Sequence, residues 1–232
     1  YFTTNVINFG GDAAPTPRQR YVDRWRLVKK DPAAALSEPV KPITFWIDRT
    51  VPLRYRDAVT QGILAWNKAF EKIGFKDAIV AKVQPDDATF DTLDVGVASV
   101  RWITTARPSF DGFGPSVTDP RTGEILDADI VIDGNAARTM RVLRSQVFNR
   151  GDALDYPRLM QFGSEQRLAA LLSHQHGPGV QCEYAQHAAD AFGYALEVLE
   201  ARGDLADDAI VTEQFAVERI KAVTIHEVGH AL

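Results

Sequence analysis

The stretch Ile43-Thr44-Phe45-Trp46-Ile47 is a short run of β-branched and aromatic residues that follows Pro42. A run of this composition, bounded by turn formers, is typical of a β-strand. After Pro52, apolar side chains recur at three- and four-residue spacing, which predicts an amphipathic helix that ends at Gly74. The sequence therefore predicts a strand and its covering helix as the start of the folded domain.

Further strands are predicted downstream, because residues 78–83 and 95–103 are rich in β-branched and apolar side chains. The segment Asp119-Pro120-Arg121-Thr122-Gly123 is a strong turn signal, and it joins the glycine-rich stretch 111–118 to an alternating strand at 125–132. These segments together predict a β-hairpin. The order strand, helix, strand, strand, hairpin predicts an α/β (α+β) fold with a mixed, twisted sheet covered by one long helix.

Residues 134 to about 211 are mostly helical in pattern, and a last helix is predicted from about Thr212 to the end of the chain. We expect residues 1–40 to form a connecting segment from a preceding domain, and residues 41–232 to form the sheet-bearing upper part of a larger domain, with a helical insertion at about 134–211. The predicted helices of the insertion span 140–148, 164–172 and 184–200.

Composition excludes several classes of protein. The 232 residues are 45% hydrophobic and 25% charged, with a net charge of -5, as in an ordinary globular protein. No Lys/Arg-rich run is present, so we expect no nucleic-acid partner, although the basic and aromatic segment 18–30 leaves a nucleic-acid or peptide-binding strip as an alternative. No apolar stretch is long enough to predict a transmembrane segment. The single cysteine, Cys182, excludes a disulfide within the chain, and we expect both chain ends to lie within a longer polypeptide.

The chemistry is concentrated in His226-Glu227-Val228-Gly229-His230. Residues four apart lie on one face of a helix, so His226 and His230 can bind one metal ion. Zinc suits nitrogen ligands in tetrahedral geometry. Glu227 lies beside the first ligand, where it can act on water at the metal without binding the metal. The pattern predicts a Zn2+ site with His226 and His230 as ligands and Glu227 as the general base.

Two histidines do not complete a catalytic zinc site, which normally has three protein ligands. The candidates for a third ligand within the chain are His174, His176 and His187. Leu232 lies two residues after His230, and we expect the third ligand beyond it. An alternative is that this ligand is a glutamate and not a third histidine.

The ending His226-Glu227-Val228-Gly229-His230-Ala231-Leu232 resembles the start of the long metzincin motif, His-Glu-x-x-His-x-x-Gly-x-x-His, of which the first seven positions are present. Upstream, residues 42–52, 62–70 and 114–126 resemble the first strand, first helix and edge-strand hairpin of large bacterial metzincin-like zinc-dependent metalloproteases. The resemblance covers about residues 20–232. It implies a metzincin-like fold with a C-terminal active-site helix, zinc as cofactor, protein or peptide substrates, and a secreted or periplasmic (extracytoplasmic) parent protein.

In metzincins the substrate lies antiparallel to the edge strand above the zinc. An unpaired strand edge can hydrogen-bond an extended peptide, so the segment Phe113, Gly114, Pro115, Ser116 and Val117 is the predicted substrate-binding strand. The resemblance implies a metalloendopeptidase. The alternative is a catalytically inactive zincin-like module that binds a peptide without cutting it, and no feature of the sequence indicates an oligomeric state.

Overall fold

The structure is a computed structural model, and it divides the chain into two compact units, Tyr1–Asn135 with Asp208–Leu232, and Ala136–Asp207. The predicted helices of the insertion, together with His174, His176 and His187, lie outside the described residues. The residues that the structure describes are 4–7, 10, 18–105, 112–135, 202 and 208–232.

The described residues form eight strands and three helices. The strands are β1 (Thr4–Ile7), β2 (Arg18–Tyr21), β3 (Ile43–Ile47), β4 (Ile79–Val83), β5 (Ser99–Ile103), β6 (Gly112–Phe113), β7 (Ser116–Thr118) and β8 (Ile125–Asp133). The helices are α1 (Leu53–Leu64), α2 (Asn67–Lys72) and α3 (Asp208–His230). Among the described residues, no helix combines the length and the apolar character that crossing a bilayer requires.

The main sheet is mixed, with the strand order β4-β3-β5-β8-β6 and β7 also paired to β8. Strands β3, β4, β5 and β8 are parallel to one another, whereas β6 and β7 run antiparallel to β8. The predicted hairpin is confirmed, since Asp119 donates a backbone hydrogen bond of 2.8 Å to the carbonyl of Glu124 and Gly123 adopts a φ of +73° in the turn. The predicted mixed sheet of an α+β fold is confirmed as well.

Three boundaries differ from the prediction. The strand predicted over 95–103 begins at Ser99, because Gly96 turns the chain at a φ of +89° and Val95 is 82% exposed. The single covering helix is divided into α1 and α2 at Trp66, whose ring packs against α3. The last helix begins at Asp208, about four residues before the predicted start.

The core lies between the sheet and helices α1 and α3. Alternate residues of β3 (Ile43, Phe45, Ile47) are almost fully buried, as the period of two in a strand requires. They contact buried side chains of α1, of the neighbouring strands and of α3 in one cluster. Fully burying a large apolar side chain stabilises a protein by about 1.5–3 kcal/mol, so this cluster attaches α3 firmly to the sheet.

The segment before β3 packs on the same unit. The backbone N–H of Arg24 donates to the carbonyl of Gly123, and the N–H of Ile125 donates to the carbonyl of Arg24, both at 2.9 Å. The Trp25 ring lies edge-on against Phe45, with 6.4 Å between the ring centroids. Part of the segment predicted to connect domains is therefore packed on the core.

Helices α1 and α3 approach each other closely at Gly62. A Cβ atom added there would lie 2.6 Å from the Cβ of Thr224 and 3.0 Å from the carbonyl oxygen of Lys221. The Thr224 hydroxyl donates to the carbonyl of Ile220 at 2.7 Å, which fixes its rotamer. A glycine in the interior of a helix costs about 1 kcal/mol relative to alanine, and here it permits the contact that places α3.

We predict that Gly62→Ala destabilises the protein by about 1–2 kcal/mol, although alanine is the better helix former. The added methyl group overlaps Thr224, and overpacking costs about 1–3 kcal/mol, which exceeds the gain in helix propensity. Urea unfolding monitored by circular dichroism measures the change. The control Gln61→Ala, at an exposed position of the same helix turn, is expected to change stability by less than about 0.5 kcal/mol. Equal stabilities for the two variants would contradict the close contact.

Candidate metal centre

The last two turns of α3 bring the predicted ligands together. The Nε2 atoms of His226 and His230 lie 3.0 Å apart, and the rings meet edge-on with centroids 4.7 Å apart. This geometry follows from their four-residue spacing on a helix. His230 is exposed and His226 is half-buried, so the two nitrogens meet at the protein surface.

The histidine pair fits a zinc ion. With Zn–N bonds of about 2.0–2.1 Å in tetrahedral geometry, two nitrogen ligands lie roughly 3.3 Å apart. The observed distance between the two Nε2 atoms is 3.0 Å, and small rotations of the histidine side chains would close the difference. Burial, and secondly the charge of His230, lower the pKa of His226. A lowered pKa favours the neutral imidazole, which is the form that binds metals.

Glu227 lies on the side of α3 that faces the sheet edge, and only 5% of the residue is exposed. This burial raises the pKa of its carboxyl group to about 7. A general base works best when its pKa is near the working pH. The environment of Glu227 therefore suits proton transfer, and a bound cation nearby would favour its ionised form.

Two glycines of the sheet edge lie directly over Glu227. A Cβ atom added to Gly112 would lie 2.7 Å from Glu227 Cγ, and one added to Gly114 would lie 2.7 Å from the Glu227 carbonyl oxygen. Any side chain at either position would push the strand and the helix apart. The glycine-rich stretch noted in the sequence thus has a steric reason, which its composition alone does not reveal.

Strands β6 and β7 behave as one edge strand. The pairs Gly112↔Ile132 and Phe113↔Val131 in β6 continue in the same register as Ser116↔Ala128 and Val117↔Asp127 in β7. Pro115 lies between them, and its carbonyl accepts a 3.1 Å bond from the N–H of Asp129. Proline has no N–H to return that bond, so the ladder is interrupted at this residue.

The register determines where the predicted substrate segment points. Because Pro115 faces β8, the alternation of an antiparallel ladder turns the backbone groups of Gly114 and Ser116 toward the outer edge. Side chains alternate between the two faces of a strand. Since Gly114 faces Glu227, the exposed side chains of Phe113 and Val117 project from the opposite face of the sheet. The predicted substrate strand therefore lies beside helix α3. It faces the helix with its backbone, whereas the side chains of Phe113 and Val117 point away from the helix.

Two tryptophans contact the same helix, and neither was among the predicted site residues. The indole N–H of Trp66 donates to the carbonyl of Ile225 at 2.8 Å, and that of Trp25 donates to the carbonyl of Ala231 at 2.7 Å. A Cβ atom added to Gly229 would lie 2.5 Å from Cζ2 of Trp66. No spacing rule predicts these contacts, because Trp25 and Trp66 are far from α3 in the sequence.

Within the part of the chain that the structure describes, no cluster of three or more His, Cys, Asp or Glu side chains is arranged to bind a metal. His226 and His230 are thus two candidate ligands, and a third ligand remains a sequence-based expectation. Comparison with protein-family models, with curated proteins and with solved structures gives no match for this chain.

We predict that Gly114→Ala separates the edge strand from α3. The methyl group would overlap the backbone carbonyl of Glu227, which cannot rotate away, so we expect a loss of stability of about 1–3 kcal/mol. Denaturant unfolding measures this loss. The control Val117→Thr keeps a β-branched side chain at an exposed position on the opposite face, and it should change stability by less than about 0.5 kcal/mol. A fully stable Gly114→Ala variant would contradict the close approach.

Proposed function

We propose that this chain carries two zinc ligands, the general base and the substrate edge of a zinc-dependent peptidase. The observation that supports this proposal most is the geometry on α3: two histidine nitrogens lie 3.0 Å apart, and between these histidines in the sequence is Glu227, a buried carboxyl group whose pKa is raised to about 7. A helix whose histidines served only solubility would have no need for a buried glutamate between them. The third ligand is proposed to follow Leu232.

In this proposal His226 and His230 bind Zn2+ through Nε2. When bound, zinc supplies Lewis acidity, which makes water a nucleophile near neutral pH and stabilises negative charge on a peptide carbonyl. A carboxylate oxygen of Glu227 accepts the proton of the attacking water and transfers it to the leaving amine. Its buried position under Gly112 and Gly114 excludes bulk water from that proton transfer.

The edge strand supplies the proposed substrate contacts. The outward backbone groups of Gly114 and Ser116 can pair with an extended peptide, as in strand addition to an open sheet edge. The absence of side chains at Gly112 and Gly114 brings this edge close to Glu227. A peptide bound there would lie next to the base, which favours protein or peptide substrates.

We predict that Glu227→Gln, in a polypeptide that continues past Leu232, retains zinc and loses peptidase activity by about 10²–10⁴-fold. Glutamine has nearly the shape of glutamate but cannot accept the proton, and loss of a general base has an effect of this size. Metal content by mass spectrometry and turnover of a peptide library measure the two properties. As a control, His230→Ala should lose both metal and activity. Full activity of Glu227→Gln would refute the assignment of the base, and peptide binding without cleavage by the unmodified protein would favour the binding-module alternative.

A second prediction concerns the edge strand. A saturating peptide-like inhibitor should slow amide hydrogen exchange at Gly114 and Ser116, because their N–H groups would become bonded to the inhibitor. The amides of Phe113 and Val117 face β8 and serve as internal controls, with exchange that changes little. Hydrogen-exchange mass spectrometry with and without the inhibitor measures this. Unchanged exchange at Gly114 and Ser116 would exclude them as substrate contacts.

A further inference from the structure

The carbonyl groups on either side of the histidine pair both accept hydrogen bonds from tryptophan side chains. Ile225, whose carbonyl accepts from Trp66, immediately precedes His226. Ala231, whose carbonyl accepts from Trp25, immediately follows His230. The chain has four tryptophans, and the other two contact different parts of the fold. The Trp46 ring packs on Phe90, and the Trp102 ring stacks on Tyr55.

These two bonds act on different kinds of carbonyl group. The carbonyl of Ala231 lies beyond the last helical residue, where carbonyls accept no hydrogen bond from within the helix. The Trp25 indole N–H donates the hydrogen bond that this carbonyl would otherwise lack. The carbonyl of Ile225 lies inside the helix, and the bond from Trp66 is added to the helical bonding pattern. Apolar packing alone is non-directional and permits a helix to slide or rotate by small amounts, whereas two hydrogen bonds at fixed points oppose both motions.

Each indole ring is itself fixed by packing. The Trp25 ring lies edge-on against Phe45, a fully buried residue of β3. The Trp66 ring occupies the space that a side chain at Gly229 would need. A glycine inside a helix is costly unless it has a packing reason, and the Trp66 ring provides that reason between the two histidines. Both donors are thus partly buried side chains that pack against the core cluster.

We propose that Trp25 and Trp66 are positioning residues that fix the axial position and rotation of the helix turn carrying His226, Glu227 and His230 relative to the edge strand. This inference rests on the proposed function. Functional groups must be held within about 0.5 Å of their working geometry, and the two indoles bond the backbone on each side of the ligands. Trp25 also connects the segment before the sheet to the metal centre, which would make that segment necessary for full metal affinity.

The test replaces each indole by a ring that lacks the N–H group. We expect Trp25→Phe and Trp66→Phe, in a polypeptide that continues past Leu232, to weaken Zn2+ and Co2+ binding by about 3- to 10-fold, as the loss of one hydrogen bond implies. Chelator competition measures the affinities. We also expect an altered Co2+ absorption spectrum and a decrease in kcat with little change in KM, because ligand geometry changes and the substrate edge does not.

Trp46→Phe is the matched control, since Trp46 packs on Phe90 and Lys82, and within the described residues no hydrogen bond is found from its ring to α3. It should leave metal affinity, the Co2+ spectrum and kcat unchanged even where it lowers the melting temperature. Wild-type metal affinity and spectrum in both Trp25→Phe and Trp66→Phe would overturn the inference, as would changes that Trp46→Phe reproduces.

A variant that fails to fold is replaced by incorporation of 3-benzothienylalanine at the same position, which keeps the ring shape and exchanges the N–H group for sulfur. Reduced metal affinity in that protein supports the positioning role, and unchanged affinity overturns it. Because metal affinity is measured without substrate, this result is separate from the proposed function. A wild-type protein that binds zinc but cleaves no peptide would refute the peptidase proposal. The positioning role of the two tryptophans would still be tested by the metal affinity and the Co2+ spectrum of the variants.

Discussion

The close approach of α3 to its neighbours is the constraint on which the rest of the candidate site depends. It requires residues without side chains at the points of contact: Gly62 against Thr224, Gly229 against Trp66, and Gly112 and Gly114 against Glu227. If α3 were displaced outward at any of these points, the helix turn that carries Glu227 and the two histidines would move away from the sheet edge. Packing at these glycines therefore determines how the histidine turn of α3 lies against the sheet edge.

Burial at this interface also determines the protonation behaviour of the site. Glu227 is placed under the edge strand, and removal from water raises the pKa of its carboxyl group to about 7. Its neighbour His226 is half-buried, and its pKa is lowered. Both shifts have burial as their main cause, and both favour the neutral form of the side chain. A cation bound between the histidines would reverse this preference for Glu227 and would retain the neutral imidazole as its ligand.

The edge strand shows how a single residue, Pro115, affects the pairing of a strand without changing its register. Pro115 interrupts the ladder with β8 without changing its register, so Gly114 and Ser116 keep their backbone groups directed outward. Strand edges in proteins are commonly protected against unwanted pairing, and proline is one means of protection. Here the proline faces the inner partner, which leaves the outward groups on either side of it available for an extended peptide.

The sequence by itself predicted the local elements and the residue types of the site. The β-branched run at Ile43–Ile47, the turn at Asp119–Gly123 and the spacing of His226 and His230 depend on backbone preference and on helix or strand period, which are properties of short segments. The division of the covering helix at Trp66, the late start of β5 at Ser99 and the direction of Phe113 and Val117 depend on contacts between segments far apart in the chain. The hydrogen bonds from Trp25 and Trp66 belong to the same class. Only the tertiary structure decided these features, because no period or local preference specifies which distant carbonyl an indole N–H will meet.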